Sequence, residues 1–101
     1  LEFRRVLFRS PKDGANRQKS ALSLAWTAST GVTRYEYCLS RVAPTVGQTS
    51  CDTGWVSTAT SRSASISSLL RLTTYYWQVR AVNDTGTTYA NGGTWWRFVT
   101  A

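Results

Sequence analysis

A two-residue alternation of apolar and polar side chains recurs along the chain. From Ala21 to Ala28, Leu22, Leu24 and Trp26 alternate with Ser23, Ala25 and Thr27, the period of a strand with one buried face. Ser29, Thr30 and Gly31 supply a turn, and Val32 to Ser40 resumes the pattern, with Tyr35, Tyr37 and Leu39 on one face and Arg34, Glu36 and Cys38 on the other. Pro44 to Gly54 is loop-like, whereas Trp55 to Ser57 and Ser63 to Ile66 read as short strands. The strongest pattern is Thr73 to Val82. There Tyr75, Trp77, Val79 and Ala81 share a face opposite Tyr76, Gln78 and Arg80, which predicts a central strand. Asn83 to Gly93 is expected to be a long hairpin connection, and Trp95 to Thr100 a last strand with Trp96 and Phe98 inward. Lys12 to Ser20 is a loop or a weak edge strand. Short strands separated by turn signals predict an all-β sandwich without internal repeats.

Composition agrees with that pattern. The 101 residues suit one domain, and 42% hydrophobic against 17% charged residues is enough apolar material for a core. Ser and Thr number 27 and aromatic residues make up 13%, a mixture that favours strands. No apolar run approaches the roughly 18–20 residues of a membrane-spanning helix, and no secretion signal is legible.

Leu1 to Ser10 resembles the translated end of a DNA-sequencing adapter, so these residues are read as an artefact and residues 11–101 as the domain. On that reading the natural N-terminus is missing. The alternative is a basic first strand with Phe3, Leu7 and Phe8 as apolar contacts. Setting the segment aside lowers the net charge from +7 to +5, with nine basic residues scattered rather than striped, so nucleic acid is not an expected partner.

Leu22-Ser23-Leu24-Ala25-Trp26, Tyr35-Glu36-Tyr37, Leu69, Thr74 through Asn83, Gly86 and Trp96-Arg97-Phe98-Val99-Thr100 occur in an order and spacing that resembles a fibronectin type III domain, most closely the bacterial versions. The likeness covers nearly all of residues 11–101 and implies an immunoglobulin-like sandwich of about seven antiparallel strands. It also implies that Trp26 fills the space between the sheets, and that Tyr75, six residues after Leu69, is the tyrosine-corner residue whose hydroxyl bonds to upstream backbone. The expected core is Trp26, Tyr35, Tyr37, Tyr75, Trp77, Val79, Trp96 and Phe98. One departure stands out: the family usually has Pro-Gly before Thr-Thr-Tyr, and this chain has Arg71-Leu72, which leaves the corner turn in question and Leu72 exposed.

Cys38 and Cys51, with 12 residues between them, are expected to form a disulfide, since an even cysteine count in a small Ser/Thr-rich domain fits an oxidising compartment. The alternative is two free thiols. Without histidine, two cysteines leave a tetrahedral zinc site unfilled, and no Ser/His/Asp or Cys/His set can be assembled. Asp52-Thr53-Gly54 and Asp84-Thr85-Gly86 match the aspartic-protease triplet, in which two carboxylates share a proton, but their neighbours are not the small apolar residues that chemistry needs. Asp and Gly are ordinary turn residues. Neither a phosphate-cradling glycine loop nor a plausible glycosidase carboxylate pair is legible, so no catalytic residues and no cofactor are expected. Asn83-Asp84-Thr85 matches a glycosylation sequon, and no Arg-Gly-Asp triplet occurs.

Trp55, Tyr76, Tyr89 and Trp95 are expected to face away from the core, where they either stack on sugar rings or another protein, or pack against Arg80 and Arg97 as cross-strand partners. The expected function is a non-catalytic spacer or interaction module of a larger secreted or cell-surface bacterial protein. Its partners would be neighbouring domains of the parent, with a protein or polysaccharide ligand as a further partner. The alternative is a carbohydrate-binding module that uses the outward aromatics.

Overall fold

The structure, a computed structural model, describes residues 9–101. The alternative in which Phe3, Leu7 and Phe8 anchor a first strand lies outside these residues. Among the described residues nine strands form: β1 (Arg9–Ser10), β2 (Ala15–Gln18), β3 (Leu22–Trp26), β4 (Arg34–Ser40), β5 (Val56–Ala59), β6 (Ser63–Ile66), β7 (Thr74–Asn83), β8 (Gly86–Tyr89) and β9 (Trp96–Thr100). A smaller sheet has the order β1-β3-β6, and a larger one β2-β9-β7-β4-β5 with β8 also on β7.

The seven-strand plan becomes nine because the two ends of the fold are each broken. β1 pairs antiparallel with β3, whereas β2 crosses to the other sheet and runs parallel to β9, the one parallel pairing among the described residues. β8 and β9 lie successively along the same edge of β7, Arg80–Asn83 pairing with β8 and Thr74–Trp77 with β9. The break between them is a single helical turn at Ala90–Gly93, with Asn91 and Gly92 at φ of 54° and 62°. Gly92 takes that left-handed conformation without steric cost. The expected long connection from Asn83 to Gly93 is therefore corrected: β7 turns directly into β8 through Asp84-Thr85. The side-chain oxygen of Asn83 accepts from the backbone N–H groups of Thr85 at 2.9 Å and Gly86 at 3.1 Å, closing the turn locally.

The alternation delivers one dry layer between the sheets. Leu24 and Trp26 from β3 face Tyr35 from β4, Tyr75, Trp77, Val79 and Ala81 from β7, and Trp96 and Phe98 from β9, all buried. Tyr37 and Leu39 are half-buried against them. Trp77 and Trp96 are opposite each other in register and pack at 4.6 Å between ring centroids; Tyr75 stacks on Phe98 at 5.5 Å, and Trp26 meets Tyr35 edge-on at 5.8 Å. The Arg9 guanidinium lies 5.4 Å above the Trp96 ring.

At the corner before β7, the hydroxyl of Tyr75 accepts the Leu70 N–H at 2.9 Å. The turn forms without the Pro-Gly of the family pattern. Leu72 is 78% exposed and adopts a φ of 50°, a left-handed conformation that glycine reaches more easily.

Candidate functional site

The outward face of the larger sheet carries the residues of interest, in three rows set by strand register. The first row is Glu36, Arg80 and Tyr89 on β4, β7 and β8; the second is Cys38 beside Gln78; the third is Ser40, Tyr76 and Arg97 on β4, β7 and β9. The long connection from β4 to β5 folds back over the second row. It is held there by the Cys38–Cys51 disulfide, whose Cα atoms are 6.0 Å apart, by Thr53, whose hydroxyl donates to the Leu39 carbonyl at 2.8 Å, and by Trp95, whose indole N–H donates to the Gln48 carbonyl at 3.0 Å.

This cover changes the reading of two residues. Trp95, expected to face outward and be available, is only 8% exposed, because the β4–β5 connection lies on it. Gln78 is fully buried although the alternation places it outward. Gln78 and Val79 face the break between β8 and β9, so neither has a strand partner on that side. The Gln78 amide fills the gap, its Nε2 donating to the Ala90 carbonyl at 3.1 Å and its Oε1 accepting the Val79 N–H at 2.8 Å. A buried backbone N–H left without a partner would be costly. The legible signal was a lone Gln in an apolar strand followed by Asn91-Gly92-Gly93.

In the first row Glu36 Oε1 accepts from Arg80 at 2.6 Å, and Oε2 accepts from Arg34 Nε at 3.1 Å. Burial pushes the Glu36 carboxyl up, but the hydrogen bonds and charges of Arg34 and Arg80 outweigh it and hold it below the usual glutamate range. Arg80 also sits 4.1 Å over the Trp55 ring, and its Nη1 donates to the Tyr89 hydroxyl at 3.4 Å. Trp55 lies 5.9 Å from Tyr89 and 6.1 Å from Trp95, ring to ring. Three of the four outward aromatics thus pack on one another and on Arg80. Tyr76, the fourth, is half-buried and has no ring or cation partner among the described residues.

Tyr76 and Trp95 floor a cleft of about 320 Å³, walled on one side by Ala43 to Gly47 and on the other by Gly93 and Thr94. Asp13 and Arg97, both exposed, line it as well. Asp13 Oδ1 accepts the backbone N–H of Arg97 at 3.0 Å, which fixes the pair side by side. A furrow of about 480 Å³ adjoins it across Gly47 and Gly93 and is lined by Thr49, Thr87, Thr88 and Tyr89. A wider depression beside Trp26 and Arg62, of about 660 Å³, has the buried Trp26 as its only ring among the described residues.

The two Asp-Thr-Gly triplets occupy different turns. Asp52 belongs to the covering connection beside the disulfide and Asp84 to the β7–β8 turn, and both are exposed. Cys38, Cys51 and Asp52 form the one group of candidate metal ligands among the described residues, and the disulfide occupies both sulfurs. Asn83 of the sequon spends its amide on the Gly31 carbonyl, at 3.0 Å. Among the described residues no helix is long and apolar enough to cross a membrane.

No family model matches the chain, and no curated protein does. Solved structures do. A mutant of FN3tt aligns with a TM-score of 0.55 at 16% identity, over 96% of this chain and 92% of that one. The crystal structure of FN3tt gives 0.53 at 17%, over 95% and 90%. The solution structure of the fibronectin type III domain of human fibronectin type III domain containing protein 3 gives 0.53 at 16%, over 95% and 86%. At such identities the likeness speaks for architecture, and together with the two sheets and the buried Trp26 and Tyr75 it makes this chain a fibronectin type III-like β-sandwich.

Proposed function

We propose that residues 11–101 are a non-catalytic spacer or interaction module of a larger secreted or cell-surface bacterial protein, holding neighbouring domains of that parent at a fixed separation. Residues 1–10 belong to the adapter-like segment on this reading. The observation that carries it is that the larger sheet is packed inward by Trp77, Trp96 and Phe98 and braced across the middle of its outward face by a connection stapled at Cys38–Cys51 and Trp95. Such a body transmits position because it has few ways to deform. The disulfide fits an oxidising, extracellular setting. Limited trypsin digestion tests the rigidity at Arg41, an exposed residue on the covering connection. On a reducing gel the oxidised protein should stay whole at a dose that cuts the reduced protein there. Equal cutting of both forms would remove the rigid-spacer reading.

A second reading, a carbohydrate-binding module, is favoured by the cleft at Tyr76, whose lining joins aromatic rings to exposed polar groups. The Trp55 ring is taken up by Arg80 and Trp95 is buried, so on this reading the leading ring is Tyr76 rather than either tryptophan.

A further inference from the structure

Within the glycan-binding reading, on which this inference rests, the cleft separates itself from the rest of the outward face by what its polar groups lack. Among the described residues, Asp13 Oδ2, the Arg97 guanidinium and the Tyr76 hydroxyl have no hydrogen-bond or ion-pair partner, although all three residues line one depression. In the first row, by contrast, Glu36 and Arg80 satisfy each other and Arg80 occupies Trp55.

We propose that this cleft is a subsite for one neutral sugar residue of a glycan chain, with the Tyr76 ring carrying a C–H face of the sugar and Asp13 and Arg97 taking two of its hydroxyls. The charge balance selects the class. An anionic ligand would meet the Asp13 carboxylate and a cationic one the Arg97 guanidinium, whereas a pair of sugar hydroxyls donates to the carboxylate and accepts from the guanidinium. A wholly apolar ligand would desolvate both charges without return. The size fits a single ring, since about 320 Å³ is at the small end of ligand pockets. The wall is formed before any ligand arrives. Gln48 accepts from the Trp95 indole through its carbonyl and from the Thr45 N–H through its side chain at 3.0 Å, and the disulfide anchors the same connection. A site already shaped loses less entropy on binding. The adjoining furrow at Thr87 to Tyr89 gives the rest of the chain a path away from the subsite.

The test is a titration of the isotope-labelled oxidised domain with xylohexaose, cellohexaose and mannohexaose, and with an oligogalacturonate as the charged probe, read by amide chemical shifts. At least one neutral oligosaccharide should give saturable shifts at residues 13, 43–47, 76 and 93–97. Affinity should fall at least about tenfold in Tyr76→Ala and in Arg97→Gln, both checked for an unchanged melt, and should change little up to about 0.5 M salt. Shifts centred on Thr87 to Tyr89 with Tyr76 silent would overturn the subsite while leaving the glycan reading in place. Preference for the galacturonate would overturn the neutral assignment. No shift with any probe would remove both.

Discussion

Reducing the Cys38–Cys51 bridge separates two effects that the fold ties together. The first acts on the unfolded chain: with a sequence separation of 13, the loop-closure model assigns the bridge about 3 kcal/mol. For a domain of this size that corresponds to a fall in Tm of roughly 12–24 °C. The second acts on the native state. Once free at Cys51, the β4–β5 connection is held mainly by the Trp95–Gln48 and Thr53–Leu39 hydrogen bonds, each contributing about 1 kcal/mol. It should then open on its own without unfolding the sandwich, whose core lies on the other side of the sheet. Thermal melts with and without a phosphine reductant measure the first effect. Hydrogen exchange at the Trp95 indole N–H measures the second, and should quicken in the reduced protein well below the melting range. A Cys38→Ala/Cys51→Ser variant should behave as the reduced form does. Coincident melts, to within about 3 °C, would refute the loop-closure estimate. Unchanged indole exchange would refute the idea that the bridge holds the cover in place.

Other outcomes follow from single contacts. Tyr75→Phe deprives the Leu70 N–H of its acceptor and should cost about 1–2 kcal/mol in urea unfolding; no loss would mean that water replaces the hydroxyl. Leu72→Gly relieves a left-handed backbone at an exposed side chain and should raise stability by up to about 1 kcal/mol, so a lower Tm would contradict the strain assigned there. Glu36 has its folded pKa held down, so its stabilising contribution is complete above the unfolded value of about 4.3 and is lost as pH falls through the folded value. Glu36→Gln should therefore be less stable than the parent near neutral pH, by under about 1 kcal/mol, with the gap in urea midpoints closing in acid; a gap that widens in acid would reverse the sign.

The buried layer was legible in the sequence because a strand carries its own period. Leu24 and Trp26, Tyr75 to Ala81, and Trp96 and Phe98 announce an inward face from local alternation alone, and the structure buries that face. The pairing of Cys38 with Cys51 was legible for a similar reason, being short in sequence. The outward face was not. Alternation states that Gln78 and Trp95 point away from the core, but whether they meet water depends on a connection that returns from about 30 to 50 residues earlier in the chain, which no local pattern records. The splitting of the last strand into β8 and β9 likewise follows from backbone partners on β7, with Gln78 repairing the gap. The gathering of Asp13, Tyr76 and Arg97 at one cleft is a third such case: they come from the segment before β2, from β7 and from β9, and only strand order and register bring them together. Period is a property of neighbours along the chain, whereas cover and convergence are properties of neighbours in space, which is why the first was written in the sequence and the others were decided by the tertiary fold.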